Sequence, residues 1–214
     1  MSEKSAKITI GSNSFDLPMI EGTMGYPAID ARFLNNKGIY SYDPGFTSTA
    51  SCTSGITYVD GDKGELLYRG YPIEQLAEKS DFLDVSYLLF NGNLPNTKEK
   101  QVYSSTINSQ SLLHDQLNNV FRGFRRDAHP MAVMIGVVGS MAAFYFDDMN
   151  INNRNHRRLS ANRLLAKIPT IAAWSHNYNL GLPFVYPTHE LSYAENILNM
   201  MFSSPNKPYS LSPI

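Results

Sequence analysis

Apolar and polar residues alternate in two short stretches near the start of the chain. The first, residues 7–20, contains a central Gly-Ser-Asn-Ser segment, and the second, residues 56–69, contains Asp-Gly-Asp-Lys-Gly. Alternation interrupted by a glycine-containing turn is typical of β-hairpins. We therefore predict two hairpins, and no other segment has a convincing strand pattern.

From Pro72 onward the apolar spacing is that of helices. Proline suits the first turn of a helix, and Ser80, Thr97 and the Ser192/Glu195 pair are candidate N-caps. An internal proline, Pro169, is expected to kink its helix. The predicted helices span residues 73–79, 82–90, 97–108, 112–125, 130–146, 159–179 and 193–202, followed by a loop over 203–214.

These patterns predict a mainly α protein with a small N-terminal β region. We place a β-rich segment at 1–71 and the helical part of an incomplete large domain at 72–214.

The longest apolar run is Pro130 to Phe146. It is shorter than the roughly 20 residues that a membrane span requires, and charged residues flank it on both sides. We therefore expect a buried core helix or an interface helix, not a membrane helix. Gly136 and Ser140 lie one helical turn apart and would let a neighbouring backbone approach closely.

The overall composition excludes several classes of protein. Hydrophobic residues make up 43% of the 214 residues and charged residues 17%, which is typical of a globular chain. The net charge of −1 gives no reason to expect nucleic-acid binding. A single cysteine, Cys52, and a polar N-terminus without an apolar signal core favour the cytoplasm.

No metal site is predicted. The five histidines lack ligand spacing, and one cysteine cannot complete a zinc site. Asp60 and Asp62 begin like a calcium loop, but the later ligand positions hold Gly64, Glu65 and Tyr71. A hairpin turn is the better interpretation of this segment.

Several long blocks of sequence, in one order, resemble bacterial-type citrate synthases of the hexameric, NADH-regulated subgroup, over their N-terminal half only. These blocks are YDPGFTSTASCTSGITYVDGDKGELLYRGYPIEQL (Tyr42–Leu76), FNGNLP (Phe90–Pro95), FRRDAHPMAVM (Phe124–Met134), LLAKIPTIAAW (Leu164–Trp174), PFVYP (Pro183–Pro187) and LSYAENILNMMFSSP (Leu191–Pro205).

The resemblance implies a citrate-synthase-like multi-helical large domain. It also implies an acyltransferase of the tricarboxylic acid cycle that condenses acetyl-CoA with oxaloacetate and water to give citrate and CoA. The family's catalytic residues match positions beyond Ile214, so we assign none here and expect the 214 residues alone to be inactive and poorly soluble. No cofactor is implied, because acetyl-CoA and oxaloacetate are substrates.

Two alternatives remain open. A 2-methylcitrate synthase would use propionyl-CoA in the same chemistry, and a non-catalytic helical module would dimerise or bind an anion. The resemblance also implies a homodimer, or a dimer-based hexamer, through helices that include Pro130 to Phe146.

Arg163 and Lys167 lie four residues apart and project from one helix face. They are either a solvated face or an anion site. In NADH-inhibited members of the family, the positions that match Tyr145, Arg163 and Lys167 contact the nucleotide, which makes these three residues candidates for an allosteric nucleotide or anion site.

Other positions of that nucleotide site depart from the family pattern. The usual Arg-His-Thr-Met run is Ser-Gln-Ser-Leu at 109–112, and the usual glutamine, asparagine and cysteine are Leu182, His189 and Asn206. Loss of the arginine and histidine removes positive charge and hydrogen-bond donors that a pyrophosphate or ribose would need. We therefore expect weak or absent control by NADH.

Overall fold

The computed structural model describes residues 4–210 and divides into two compact units. Among the described residues, one unit contains 4–80 together with Leu88–Asn93. The other contains Asp81–Tyr87 together with 94–210. The protein is mainly α-helical, as the sequence predicted.

The first unit holds two small antiparallel sheets, and both predicted hairpins are confirmed. Each sheet gains a two-residue third strand that the sequence pattern did not reveal, because two residues are too few to show alternation. The sheets consist of β1 (Ser5–Ile10), β2 (Asn13–Ile20) and β3 (Ala28–Ile29), and of β4 (Thr57–Asp60), β5 (Glu65–Tyr68) and β6 (Tyr71–Pro72).

The turn between β4 and β5 is held by Asp60. Its Oδ1 accepts the Lys63 backbone N–H at 3.0 Å, and its Oδ2 pairs with the Lys63 ammonium at 3.1 Å. These contacts, together with the left-handed φ of +67° at Gly64, are those of a tight hairpin turn.

Nine α-helices follow one another along the described residues, with a 3₁₀ turn at Phe146–Asp148. They are α1 (Arg32–Asn35), α2 (Ile73–Lys79), α3 (Phe82–Asn91), α4 (Thr97–Ser109), α5 (Leu117–Arg122), α6 (Pro130–Ser140), α7 (Ala142–Tyr145), α8 (Arg154–Leu180) and α9 (Tyr193–Phe202).

Two of the predicted N-caps are wrong by one residue. Helix α3 is capped by Asp81, whose Oδ1 accepts the Asp84 N–H at 2.9 Å, and Ser80 instead ends α2. Helix α4 is capped by Asn96 rather than Thr97. Asp and Asn accept the N3 amide at least as well as Ser and Thr do, and sequence alone did not separate neighbouring candidates.

The Ser192/Glu195 capping box of α9 is confirmed, with both reciprocal hydrogen bonds present. The loop predicted after it is also observed as far as residue 210, and its last residues, 211–214, lie outside the described part.

The predicted helix over 112–125 is much shorter than expected, since α5 covers only Leu117–Arg122. Local contacts before it compete with helical hydrogen bonds. The His114 ring accepts the Gln116 N–H at 3.2 Å, and Asp115 accepts from the Asn118 side chain at 2.9 Å.

The core of the second unit forms where α5, α6 and α8 meet. Trp174 and Phe121 are fully buried, and Phe184 stacks on Trp174 with ring centroids 4.5 Å apart. The buried cluster comprises Leu113, Leu117, Phe121, Val133, Val137, Met141, Ile171 and Trp174.

The apolar segment from Pro130 contributes one face to this core, but it is not the single, continuous buried helix that the sequence predicted. It is divided into α6, α7 and the 3₁₀ turn, and only the face carrying Val133 and Val137 is buried. Ile135 is 70% exposed and Phe146 is also 70% exposed. By length and composition alone, Pro130–Asp148 is the one stretch in the described part that could cross a membrane, which is weak evidence.

A side chain occupies the space beside Gly136, where the sequence suggested an approaching backbone. A Cβ at Gly136 would lie 2.5 Å from Cζ of Phe124. The small residue therefore makes room for an aromatic ring in the core.

Helix α8 continues through Pro169 for 27 residues. Proline has no N–H, so the Leu165 carbonyl one turn earlier loses its helical donor. The Tyr193 hydroxyl, at the start of α9, donates to that carbonyl at 2.8 Å. Burial raises the pKa of Tyr193 to about 12, so the phenol remains a donor at physiological pH.

We expect Tyr193→Phe to destabilise the protein by about 1–2 kcal/mol, since it leaves the Leu165 carbonyl without a partner. In a Pro169→Ala background the restored N–H can donate to the Leu165 carbonyl. Tyr193→Phe should then lower the free energy of unfolding by clearly less than it does in the wild-type background. A double-mutant cycle measured by urea unfolding tests this. Equal losses in both backgrounds would contradict the assignment.

Candidate functional site

The structure brings the three predicted site residues together on one side of α8. The Arg163 guanidinium lies over the Tyr145 ring, 4.4 Å from its centroid, and the Lys167 ammonium lies 5.7 Å from the same centroid. Tyr145 ends α7, so α8 supplies both cations and α7 supplies the ring. Such cation–π contacts fix the orientation of all three side chains.

Arg163 already has a carboxylate partner. Its Nη2 donates to Asp148 Oδ2 at 2.7 Å, while its buried Nη1 has no hydrogen-bond partner among the described residues. Any external anion that approaches Arg163 competes with Asp148 for the guanidinium.

Lys167 is only 4% exposed, which contradicts the interpretation of this helix face as a solvated one. Its ammonium donates to the Gln110 carbonyl at 2.7 Å and to the Leu112 carbonyl. Burial, and then the neighbouring charge of Arg163, lower the pKa of Lys167 to about 8. Two of its three N–H donors are therefore already in use.

The segment 109–112, where the sequence departs from the family pattern, faces Lys167 mainly with its backbone. Thr170 adds a further hydrogen bond, donating to the Ser111 carbonyl at 3.0 Å. The Gln110 side-chain oxygen is buried without a partner in the described structure. This stretch thus supplies acceptors to α8 and no positive charge.

The other departing positions do not join this cluster. Across residues 4–210, no hydrogen bond or ring contact links Leu182, His189 or Asn206 to Tyr145, Arg163 or Lys167. His189 and Asn206 are exposed, and Asn206 accepts from the Ser204 hydroxyl at 2.8 Å.

Sequence reasoning missed the role of Asp148. It lies fifteen residues before Arg163, beyond the reach of helical spacing rules, and the 3₁₀ turn that positions it was not predicted. The only available signal was the pair of acidic residues at 147–148 directly after the apolar run.

Residues 45–211, well over half of the chain, match the sequence profile of the family described as "Citrate synthase, C-terminal domain". The chain belongs to the citrate synthase family.

Solved citrate synthase structures share the fold. The Thermotoga maritima enzyme is 29% identical with a TM-score of 0.65, over 76% of this chain and 42% of its own. The Pyrobaculum aerophilum enzyme is 28% identical with a TM-score of 0.67, over 94% of this chain and 47% of its own. The Thermoplasma acidophilum enzyme, in ternary complex with carboxymethyl coenzyme A and oxaloacetate, is 26% identical with a TM-score of 0.70, over 77% and 43%.

The chain therefore spans less than half the length of each of these three citrate synthases.

Proposed function

We propose that this chain is the N-terminal half of a citrate synthase of the bacterial, hexameric type. The complete enzyme condenses acetyl-CoA with oxaloacetate and water to give citrate and CoA, in the cytoplasm. The family match over residues 45–211 is the observation that carries the citrate synthase assignment, and the bacterial, hexameric type and the N-terminal position rest on the resemblance of the sequence blocks. The ternary complex of the Thermoplasma relative, which holds a coenzyme A analogue and oxaloacetate, supports the substrate class.

In this proposal the described helices are scaffold. Within residues 4–210, no group of three or more His, Cys, Asp or Glu residues could hold a metal ion. Most of the hydrogen-bonding side chains on α8 donate to backbone carbonyls, as Lys167 does, and Arg163 pairs with the Asp148 carboxylate. The reacting groups would then belong to the part of the enzyme that the 214 residues do not include.

We expect the complete gene product to release CoA from acetyl-CoA in the presence of oxaloacetate. Propionyl-CoA should give a kcat/KM lower by at least about tenfold, since one methylene is worth about that in an acyl pocket. A thiol-trapping assay with both substrates, and with residues 1–214 alone as the inactive control, tests the proposal.

A preference for propionyl-CoA would establish the 2-methylcitrate synthase alternative. Inertness towards both substrates would favour the non-catalytic module, and CoA release by residues 1–214 alone would contradict the scaffold role.

We further propose that the exposed face of α6 forms part of a homodimer contact, used alone or within a hexamer of dimers. Ile135 and Met131 are exposed apolar residues on this helix, while Val133 and Val137 hold it to the core. An apolar surface of this kind is stabilised when a second apolar surface covers it.

We expect Ile135→Asp to weaken self-association of the complete protein by at least about 100-fold, because it would bury an unpaired charge in the contact. Val102→Asp on α4 is the matched control, since Val102 is 67% exposed and Ile135 70%. Sedimentation velocity of both variants tests the contact, and equal effects, or none, would refute it.

We propose that Tyr145, Arg163 and Lys167 form an anion site of low affinity, with little or no control by NADH. Arg163 already donates a hydrogen bond to the Asp148 carboxylate, and Lys167 donates to the carbonyls of Gln110 and Leu112. The 109–112 segment offers no cation to offset this.

NADH should therefore inhibit the complete enzyme only above about 1 mM. Asp148→Asn, which frees the guanidinium, should increase the sensitivity, and Arg163→Ala should abolish it. Inhibition curves for the three proteins check this, and tight inhibition of the wild-type enzyme that Arg163→Ala removes would overturn the prediction.

A further inference from the structure

An open cavity of about 450 Å³ lies beside the C-terminal end of α8. Its volume is in the range typical of small-molecule sites. The residues that matter for its chemistry are Arg122, Arg126, Gly181, Leu182 and Phe184. All of them belong to the second compact unit.

The cavity carries two positive charges that no carboxylate neutralises. Within residues 4–210, neither Arg122 nor Arg126 forms an ion pair, and the lining contains no acidic residue. The neighbouring Arg125 differs, because its guanidinium makes a two-pronged contact with Asp127 at 2.9 and 2.6 Å. Asp127, the one carboxylate in the connection between α5 and α6, is thus paired with Arg125 and not with Arg122 or Arg126.

The guanidinium of Arg126 lies against the end of α8. A Cβ at Gly181 would lie 2.5 Å from Arg126 Nη1, so the glycine leaves the space that the guanidinium occupies. Gly181 also ends the helix in the left-handed region, at φ +73°. The negative end of the helix dipole favours a cation at this position, and Arg126 is exposed to solvent, so it requires no carboxylate partner.

An apolar surface lies next to the two guanidinium groups. Phe184 is fixed between Trp174, with which it stacks at 4.5 Å, and Phe121, which it meets edge to face at 5.4 Å. Leu182 is 41% exposed beside it. The cavity therefore combines a double positive charge with a rigid, partly exposed apolar wall.

We propose that this cavity binds a small phosphate monoester whose organic part is apolar. Its phosphate would accept hydrogen bonds from Arg122 and Arg126, since guanidinium groups match phosphate geometry and two of them match its double charge. Its organic part would lie against Leu182 and Phe184. This site goes beyond the condensation reaction proposed above and does not depend on it.

Isothermal titration calorimetry of the complete gene product with phenyl phosphate and with inorganic phosphate tests the proposal. Phenyl phosphate should bind at least about threefold more tightly than inorganic phosphate, because only the ester covers the apolar wall. Arg126→Gln should weaken phenyl phosphate binding by at least about tenfold. Arg125→Gln, the matched control, should leave it within about twofold.

Arg122→Gln provides a second variant, should circular dichroism show that Arg126→Gln does not fold. Absence of phenyl phosphate binding would overturn the proposal, as would equal losses in the Arg125 and Arg126 variants or equal affinity for both phosphates.

Discussion

The second unit depends on one recurring interaction: polar side chains of α8 donate hydrogen bonds to backbone carbonyls of the segments around it. The donors, in chain order, are Lys167, Thr170, Trp174, Asn177, Tyr178 and Asn179, and they reach carbonyls of residues 110–112, 185, 200, 124 and 128. A buried carbonyl without a donor is costly, so most of these bonds fix connecting segments, and the bond from Asn177 satisfies the Met200 carbonyl in the last turn of α9.

This arrangement explains why the candidate anion site and the scaffold share a residue. Lys167 faces Tyr145 and Arg163, yet its ammonium holds two carbonyls of the 110–112 segment. A ligand that recruited Lys167 would have to offset those hydrogen bonds, whereas the cavity lined by Arg122 and Arg126 offers cations without carboxylate partners. The positive charge of Lys167 thus serves the fold, whereas the charges of Arg122 and Arg126 have no carboxylate partner among the described residues.

Sequence reasoning recovered what local chemistry determines. The two hairpins, α2 and the capping box of α9 follow from turn residues, apolar period and cap residues close together in the chain. It could not show that Tyr193 would satisfy the carbonyl freed by Pro169, because those residues are 24 positions apart. The spacing of Arg163 and Lys167 correctly placed them on one face, but the burial of Lys167 depends on a segment more than fifty residues earlier.

Native-state hydrogen exchange tests the central role of α8 most directly. If its donors fix the surrounding segments, the amides of α8 that precede and follow Trp174 should be the most protected in the second unit. Protected amides in residues 110–112, 124–128 and 184–187 should then exchange only through the same cooperative opening as α8. Exchange of those segments through separate, lower-energy openings while α8 stays closed would contradict this account.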